Sequence, residues 1–230
     1  MTKATPPLKQ KAVLDKGYVQ VVDVMGSDRR VVDAARVSTG SKSDPERDKQ
    51  LIFFLMENRH ETPFEKIVFE FHVKCPLFVA RQWIRHRIGS FNERSARYRV
   101  FDLDYYVPSL EDMPSAFTAD DIQEYVACLN QEYEIYERML KKVGAQPENR
   151  SRAREVFRGL LGASYYTEFF WTVNFRSLMN FLQLRMGEDA QLEIRRYAQA
   201  IDELIRDYIP WTYEAFDKFA RSQGPTRKPK

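Results

Sequence analysis

Two aromatic and β-branched runs, Ile67-Val68-Phe69-Glu70-Phe71-His72-Val73 and Tyr165 to Val173, stand among segments whose apolar residues recur every three or four positions. A strand repeats every two residues and a helix about every 3.6, so a chain carrying both periods must cover a sheet with helices. A third run, Tyr18 to Val24, alternates roughly and is closed by Gly26. Strands spaced unevenly among helices, without an internal repeat, predict an α+β fold with a mixed or antiparallel sheet flanked by helices.

The helix ends carry their own signals. Ser27 is placed to cap a helix through Val37, and Asp44-Pro45-Glu46 sets a cap residue before a proline at the first helical position, predicting a helix to about Asn58 beyond a polar loop at 39–43. His60 to Glu65 reads as a turn, Pro76 as the start of a helix through about His86, and Tyr98 to Val107 as extended beyond a loop. Thr118 and Asp121 resemble a capping box ahead of Ile122, Tyr125, Val126, Leu129, Tyr136, Leu140 and Val143, with Gly144 as terminator. Helices are predicted over Glu148–Leu160, Phe175–Arg185, Ala190–Tyr208 and Trp211–Ala220. With 230 residues, 43% of them hydrophobic, one core suffices, so 1–223 forms a single domain and 224–230 a basic, disordered tail.

Composition removes several functions. Met1 to Val13 holds Lys3, Pro6, Pro7, Lys9 and Lys11 without an apolar stretch, which is no signal peptide and points to the cytoplasm. Runs such as Ile52–Met56 are far short of the ~20 residues of a membrane span. No glycine-rich phosphate loop of either common kind is present, so a bound nucleotide must be held by side chains. His60, His72 and His86 lack ligand spacing and no C-x-x-C occurs, so no metal site is expected. Cys75, at a strand end, and Cys128, on the apolar side of the long helix, read as inert core thiols.

Net charge is only +3, so any functional charge is local. It is concentrated in RQWIRHRIGSFNERSARYR, residues 81–99, where Arg81, Arg85, Arg87, Arg94, Arg97 and Arg99 face one acid, Glu93. A solvated basic face or salt bridges between subunits would account for an ordinary cluster. Interleaving with Trp83, Phe91 and Tyr98 also suits a nucleic-acid-binding module. Three features favour a small anion instead. Every cation is arginine, whose planar fork grips phosphate and carboxylate. Ser90, Asn92 and Ser95 put hydrogen-bonding groups in a loop where Gly89 permits close approach of a ligand. Arg81 and Arg85 share a helical face, with Trp83 and Ile84 directed to the core.

Arg85-His86-Arg87-Ile88-Gly89-Ser90-Phe91-Asn92-Glu93-Arg94-Ser95-Ala96-Arg97 resembles the R-H-R-x-x-S-x-N-x-x-S-x-R signature of flavin-dependent thymidylate synthases. Ala35-Arg36-Val37-Ser38, His60-Glu61-Thr62-Pro63-Phe64-Glu65, Arg81-Gln82-Trp83 and the stretch Asn174 to Arg185 resemble further blocks of that family, in its order. The resemblance implies a catalytic domain that converts dUMP to dTMP, with methylenetetrahydrofolate as carbon donor, reduced FAD as hydride source and NADPH as reductant. It also implies a homotetramer with active sites at subunit interfaces, and no polymeric nucleic acid or membrane as partner.

Residue by residue, the resemblance assigns dUMP to Gln82, Trp83, Ile84, Arg85, Glu93, Arg94, Ser95, Ala96, Arg97, Arg158 and Arg185. Arg97 and Arg158 would meet the phosphate, although Gly162 stands where the family commonly has proline near Arg158. Ser95 would bind substrate without acting as a nucleophile, and Arg185 would be catalytic, polarising the uracil ring. FAD falls to Ser38, Thr62, Arg85, His86, Arg87, Glu93, Asn174, Phe175, Arg176 and Asn180, with Arg87 and Arg176 toward its phosphates. His60 is assigned near the folate and flavin rings. Asn174 and Asn180, amides in an otherwise apolar stretch, read as buried groups that a ligand would satisfy.

Overall fold

A computed structural model describes residues 9–37, 44–95, 102–143 and 149–221. Its sheet has five strands, β1 (Gln10–Val13), β2 (Gly17–Met25), β3 (Val68–Pro76), β4 (Ser90–Glu93) and β5 (Tyr166–Asn174), in the order β1-β2-β3-β5-β4. Every pairing is antiparallel, which resolves the expectation of a mixed or antiparallel sheet. Central β3 is in register with β5 from Val68 opposite Asn174 to Pro76 opposite Tyr166.

Alternation sorts the side chains. Val19, Val21, Phe69, Phe71, Val73, Cys75, Phe169, Trp171 and Val173 are buried beneath helices. The other face carries Tyr18, His72 and Phe170, with His72 stacked on Phe170 at 4.5 Å. Of the covering helices, α3 (Leu77–Trp83) packs on β3 and β5, α6 (Phe175–Arg185) on β5, and α7 (Leu192–Ile205) on β1 and β2. Two more, α1 (Asp28–Arg36) and α2 (Pro45–Glu57), pack on each other and on α8 (Pro210–Ala215). The long α4 (Ala119–Val143) and α5 (Arg150–Phe157) pair with each other, and Leu129 joins Tyr105 and Tyr165 in a smaller core.

Most predicted ends are where the sequence puts them. Asp44 accepts from the Glu46 amide at 3.1 Å ahead of Pro45, and Asp121 accepts from both the amide and hydroxyl of Thr118 at 2.7 Å. Ser27 precedes α1 but makes no side-chain cap bond. The adjacent Asp28 reaches across the fold and accepts from the Trp211 and Thr212 amides at 3.0 and 2.9 Å, capping α8. Buried Asp48 takes Arg36 at 2.5 Å and Arg29 at 3.2 Å, tying α1 to α2. Ser38 and the 39–43 loop, Ala96, Arg97, the first part of the Tyr98–Val107 segment, Gly144 and the 224–230 tail lie outside the described residues.

Several expectations fail. The helix after Pro76 stops at Trp83 instead of His86, because the His86 amide turns back to the Trp83 carbonyl at 3.0 Å. Arg85 therefore leaves the helical face of Arg81, and Ile84 is 43% exposed, not directed to the core. The loop drawn through Ser90 and Asn92 is edge strand β4, its Phe91 opposite Trp171. Gly89 serves packing: a Cβ there would lie 2.8 Å from the Trp171 Nε1 and 3.0 Å from the Thr172 carbonyl. Within 102–107, only Tyr105 forms an isolated bridge, to Tyr165. Cys75 is buried as expected, but Cys128 is exposed, since α4 buries only Leu129 and Tyr136 fully.

Candidate active site

The turn that ends α3 delivers Arg85, His86, Arg87 and Ile88 to a cleft of about 600 Å³. Opposite them α6 contributes Arg176, Ser177, Met179, Asn180, Gln183, Leu184 and Arg185. Met56, Arg59, Glu61 and Glu65 complete one wall, with Phe219 and Ala220 from the turn beyond α8. Two blocks nearly ninety residues apart in sequence thus share one cavity.

Arg185 is the best-defined group there. Its Nε donates to His86 Nε2 at 3.0 Å and its Nη2 to the Gln82 carbonyl at 3.1 Å. Burial lowers the Arg185 pKa from the ordinary arginine value and leaves it a cation. Burial, then the neighbouring Arg185 charge, lowers His86 to about 4, so its imidazole is neutral at pH 7. Because arginine only donates, His86 Nε2 must accept and the ring proton sits on Nδ1. The ring packs edge-on against buried Phe181 at 4.9 Å.

Arg176 is held differently. It donates to Glu61 at 3.0 Å and to Glu65 at 2.7 Å, and these bonds raise its pKa. Two carboxylates against one guanidinium leave that trio with a net negative charge. Arg85 and Arg87, both exposed, make no hydrogen bond or ion pair among the described residues. Arg85, Arg87 and Arg185 thus line the cleft without a hydrogen bond to a carboxylate among the described residues.

Other assigned residues divide by position. Asn180 is exposed on the cleft, contrary to the expectation of a buried amide. Asn174 caps α6 by accepting from the Ser177 amide at 2.9 Å, so its oxygen already has a partner. Trp83 and Phe175 are fully buried, and Trp83 packs against Phe169, Trp171, Phe181 and Tyr197. Their side chains fix the backbone that carries Arg85 and Arg176. Exposed Thr62 and His60 flank Glu61 without lining the cleft, and His60 meets Phe54 edge-on at 5.8 Å.

Glu93, Arg94, Ser95 and Arg158 line a second cleft, of about 500 Å³, with Leu77, Gly159, Leu161 and Thr167. The two clefts share no lining residue. Glu93 accepts from the Thr167 hydroxyl at 2.8 Å, and Arg94 pairs with Asp102 at 3.2 Å. The Arg94 amide extends the β4 pairing to the Glu168 carbonyl at 2.8 Å.

Sequence reading missed the carboxylates of Glu61 and Glu65 as partners of Arg176, and it missed Arg59, Gln183 and Phe219. Glu61 and Glu65 lie inside a block singled out above, but their separation from Arg176 by 115 and 111 positions gives no local signal.

Fold and site together define an α+β protein with an arginine-lined, partly apolar cleft suited to an anionic small molecule and no glycine-rich loop. Comparison with known proteins narrows the class. The family described as "thymidylate synthase complementing protein" matches residues 20–211. The flavin-dependent thymidylate synthase of Thermosipho africanus is 49% identical over 222 residues, covering 90% of this chain and 94% of that protein. That of Thermotoga neapolitana is 47% identical over 211 residues, covering 90% and 94%. Among solved structures, the UMP/dUMP methylase PolB of Streptomyces cacaoi bound with 5-Br dUMP superposes with a TM-score of 0.77 at 33% identity, covering 91% of this chain and 98% of that one. The chain belongs to the flavin-dependent thymidylate synthase family.

Proposed function

We propose that this protein carries out the reductive methylation of dUMP to dTMP in the cytoplasm, with methylenetetrahydrofolate as the carbon donor, FAD as the flavin and NADPH as its reductant. The observation that carries the reading is the meeting of Arg85, His86 and Arg87 with Arg176, Asn180 and Arg185 in one cleft. The family assignment displaces the nucleic-acid-binding alternative.

The first cleft fits FAD by the chemistry of its walls. Arg85 and Arg87 offer unpaired guanidinium forks to a pyrophosphate, Asn180 offers an amide to ribose or ring edges, and Met179, Leu184 and Phe219 offer apolar surface. Reduced FAD supplies the hydride that completes the methyl group. The protein's own part begins with Arg185. Carbon five of uracil must become electron-rich, and Cys75, the buried thiol, is kept protonated by burial and by Glu93, which suits it poorly to attack a ring. A guanidinium at the imide edge stabilises charge developing there, and the N–H groups of Arg185 not used by His86 and Gln82 make no hydrogen bond among the described residues. The second cleft gives dUMP a phosphate subsite at Ser95 and Arg158, with Arg97 the further donor implied by the signature.

That the two sets line different clefts supports a homotetramer in which each active site draws on more than one copy. Mixing purified protein with dUMP, methylenetetrahydrofolate and NADPH tests the reading: flavin absorbance should bleach on reduction, and dTMP should form in step with tetrahydrofolate. Protein that purifies without flavin, takes none up and forms no dTMP would refute it.

A further inference from the structure

The two arginines that α6 places on the cleft are partnered in opposite ways. Carboxylates hydrogen-bond directly to Arg176, whereas the hydrogen bonds of Arg185 go to two neutral acceptors, an imidazole and a carbonyl, and the Asp189 charge acts on it through space. A neutral acceptor fixes a guanidinium without cancelling its charge, and bonds from Nε and Nη2 together fix the plane of the fork as well as its position. The Gln82 carbonyl belongs to α3, so one of the two anchors is set by backbone. The other depends on a side chain. His86 is in turn restrained by the bond from its amide to the Trp83 carbonyl and by edge-on contact with Phe181, itself wedged between Trp83 and Trp171 at 5.0 Å from each.

We infer that His86 is a positioning residue for Arg185: with its ring proton on Nδ1, it accepts from Arg185 Nε and holds the guanidinium plane toward the pyrimidine without bringing a negative charge of its own to the pair. This rests on the reading of Arg185 as the group that polarises uracil. It differs from the contact with flavin that the family resemblance assigns to His86, and the two roles separate on substitution. Leucine at 86 removes the acceptor, while glutamine brings an amide oxygen near the place of Nε2.

The experiment uses flavin-loaded enzyme and single-turnover oxidation in the presence of dUMP and methylenetetrahydrofolate. His86→Leu should lower the rate about tenfold to a hundredfold, with flavin occupancy and dUMP affinity within about threefold of wild type, an effect on kcat and not on KM. His86→Gln should recover at least about a third of the wild-type rate. In an Arg185→Lys background, itself about a hundredfold slow, His86→Leu should cost less than about threefold, because the plane it holds is gone. Equal losses in both backgrounds, a glutamine variant as slow as leucine, or a rate loss that follows flavin loss would overturn the proposal.

A spectroscopic arm needs neither turnover nor the leucine variant. The chain has only three histidines, so nitrogen-15 spectra of the imidazoles resolve His86. The expected result is a neutral Nδ1–H tautomer whose Nε2 resonance moves in Arg185→Lys. An Nε2–H tautomer, or an Nε2 resonance indifferent to Arg185, would rule the pairing out. Wild-type protein that forms no dTMP yet shows the coupled resonance would instead count against the proposed function and leave the pairing intact.

Discussion

Arg176 and Arg185 stand nine positions apart on α6, and the groups around each decide what it can do for an anion. Since Glu61 and Glu65 already take Arg176, the arginine wall of the cleft relies on Arg85 and Arg87. Arg87→Ala should weaken FAD binding by about 1.5 to 3 kcal/mol, the scale of a charged hydrogen bond. Arg176→Ala should weaken it for another reason, by releasing two carboxylates toward the phosphates. Adding Glu61→Gln and Glu65→Gln to Arg176→Ala should then restore most of the lost affinity in a fluorescence titration with FAD. No recovery would mean that Arg176 touches the phosphates itself. His86 gives a second prediction, in pH. Its folded pKa of about 4 lies below the ordinary histidine value of 6.5, so between these limits the unfolded chain binds more protons and stability rises with pH. The contribution is present above about pH 6.5 and is lost as pH falls toward 4. After allowance for solvent screening of a partly buried ring, stability should be lower at pH 5 than at pH 7 by about 1 kcal/mol on this account. Urea midpoints at the two pH values should differ less in His86→Gln; an unchanged difference would show that His86 does not titrate in this way.

At the scale of elements, what could be read from sequence was what is long and locally signalled. The nine-residue strands β2, β3 and β5 announced themselves by runs of alternating or aromatic character, and α2 and α4 by cap residues whose hydrogen bonds the structure contains. The four-residue edge strands β1 and β4 had no such pattern, because Gln10–Val13 and Ser90–Glu93 become strands only through partners elsewhere in the fold. The candidate site shows the same division. Its signature arginines were legible as a cluster, while the pairing of Arg185 with His86 and of Arg176 with Glu61 depends on how α3 and α6 meet. Gly89 illustrates the cost of reading one residue locally, for its freedom serves contact with Trp171 and not with a ligand. Gly89→Ala should push a methyl group into a buried indole and a strand carbonyl, destabilising the fold by about 1 to 3 kcal/mol. Tryptophan fluorescence during urea unfolding measures this directly. A midpoint equal to wild type would show that β4 yields freely.

For the whole molecule, the decisive fact is that Arg185 and Arg158 line different clefts although both are assigned to one substrate. On the proposed reading, copies of the chain associate so that one copy's first cleft meets another's second and one pyrimidine nucleotide touches both arginines. The half-buried Tyr18 and His72 and the exposed Phe170 on the uncovered side of the sheet show that this surface is not wholly polar. Closed symmetric association gives every copy one cleft of each kind to share, so no half-site is left over. This arrangement predicts complementation between two inactive proteins. Arg185→Lys disables the first cleft and Arg158→Ala the second, so each homogeneous oligomer should be slow, by about a hundredfold for the former. When equal amounts are dissociated together and reassembled, random pairing places two intact half-sites together in about one site of four, so activity should rise toward a quarter of wild type. Mixing without dissociation should give no such rise. Reassembled mixtures that stay at the level of the parents, with light scattering confirming mixed oligomers, would place both arginines' contributions within a single copy and exclude the shared site.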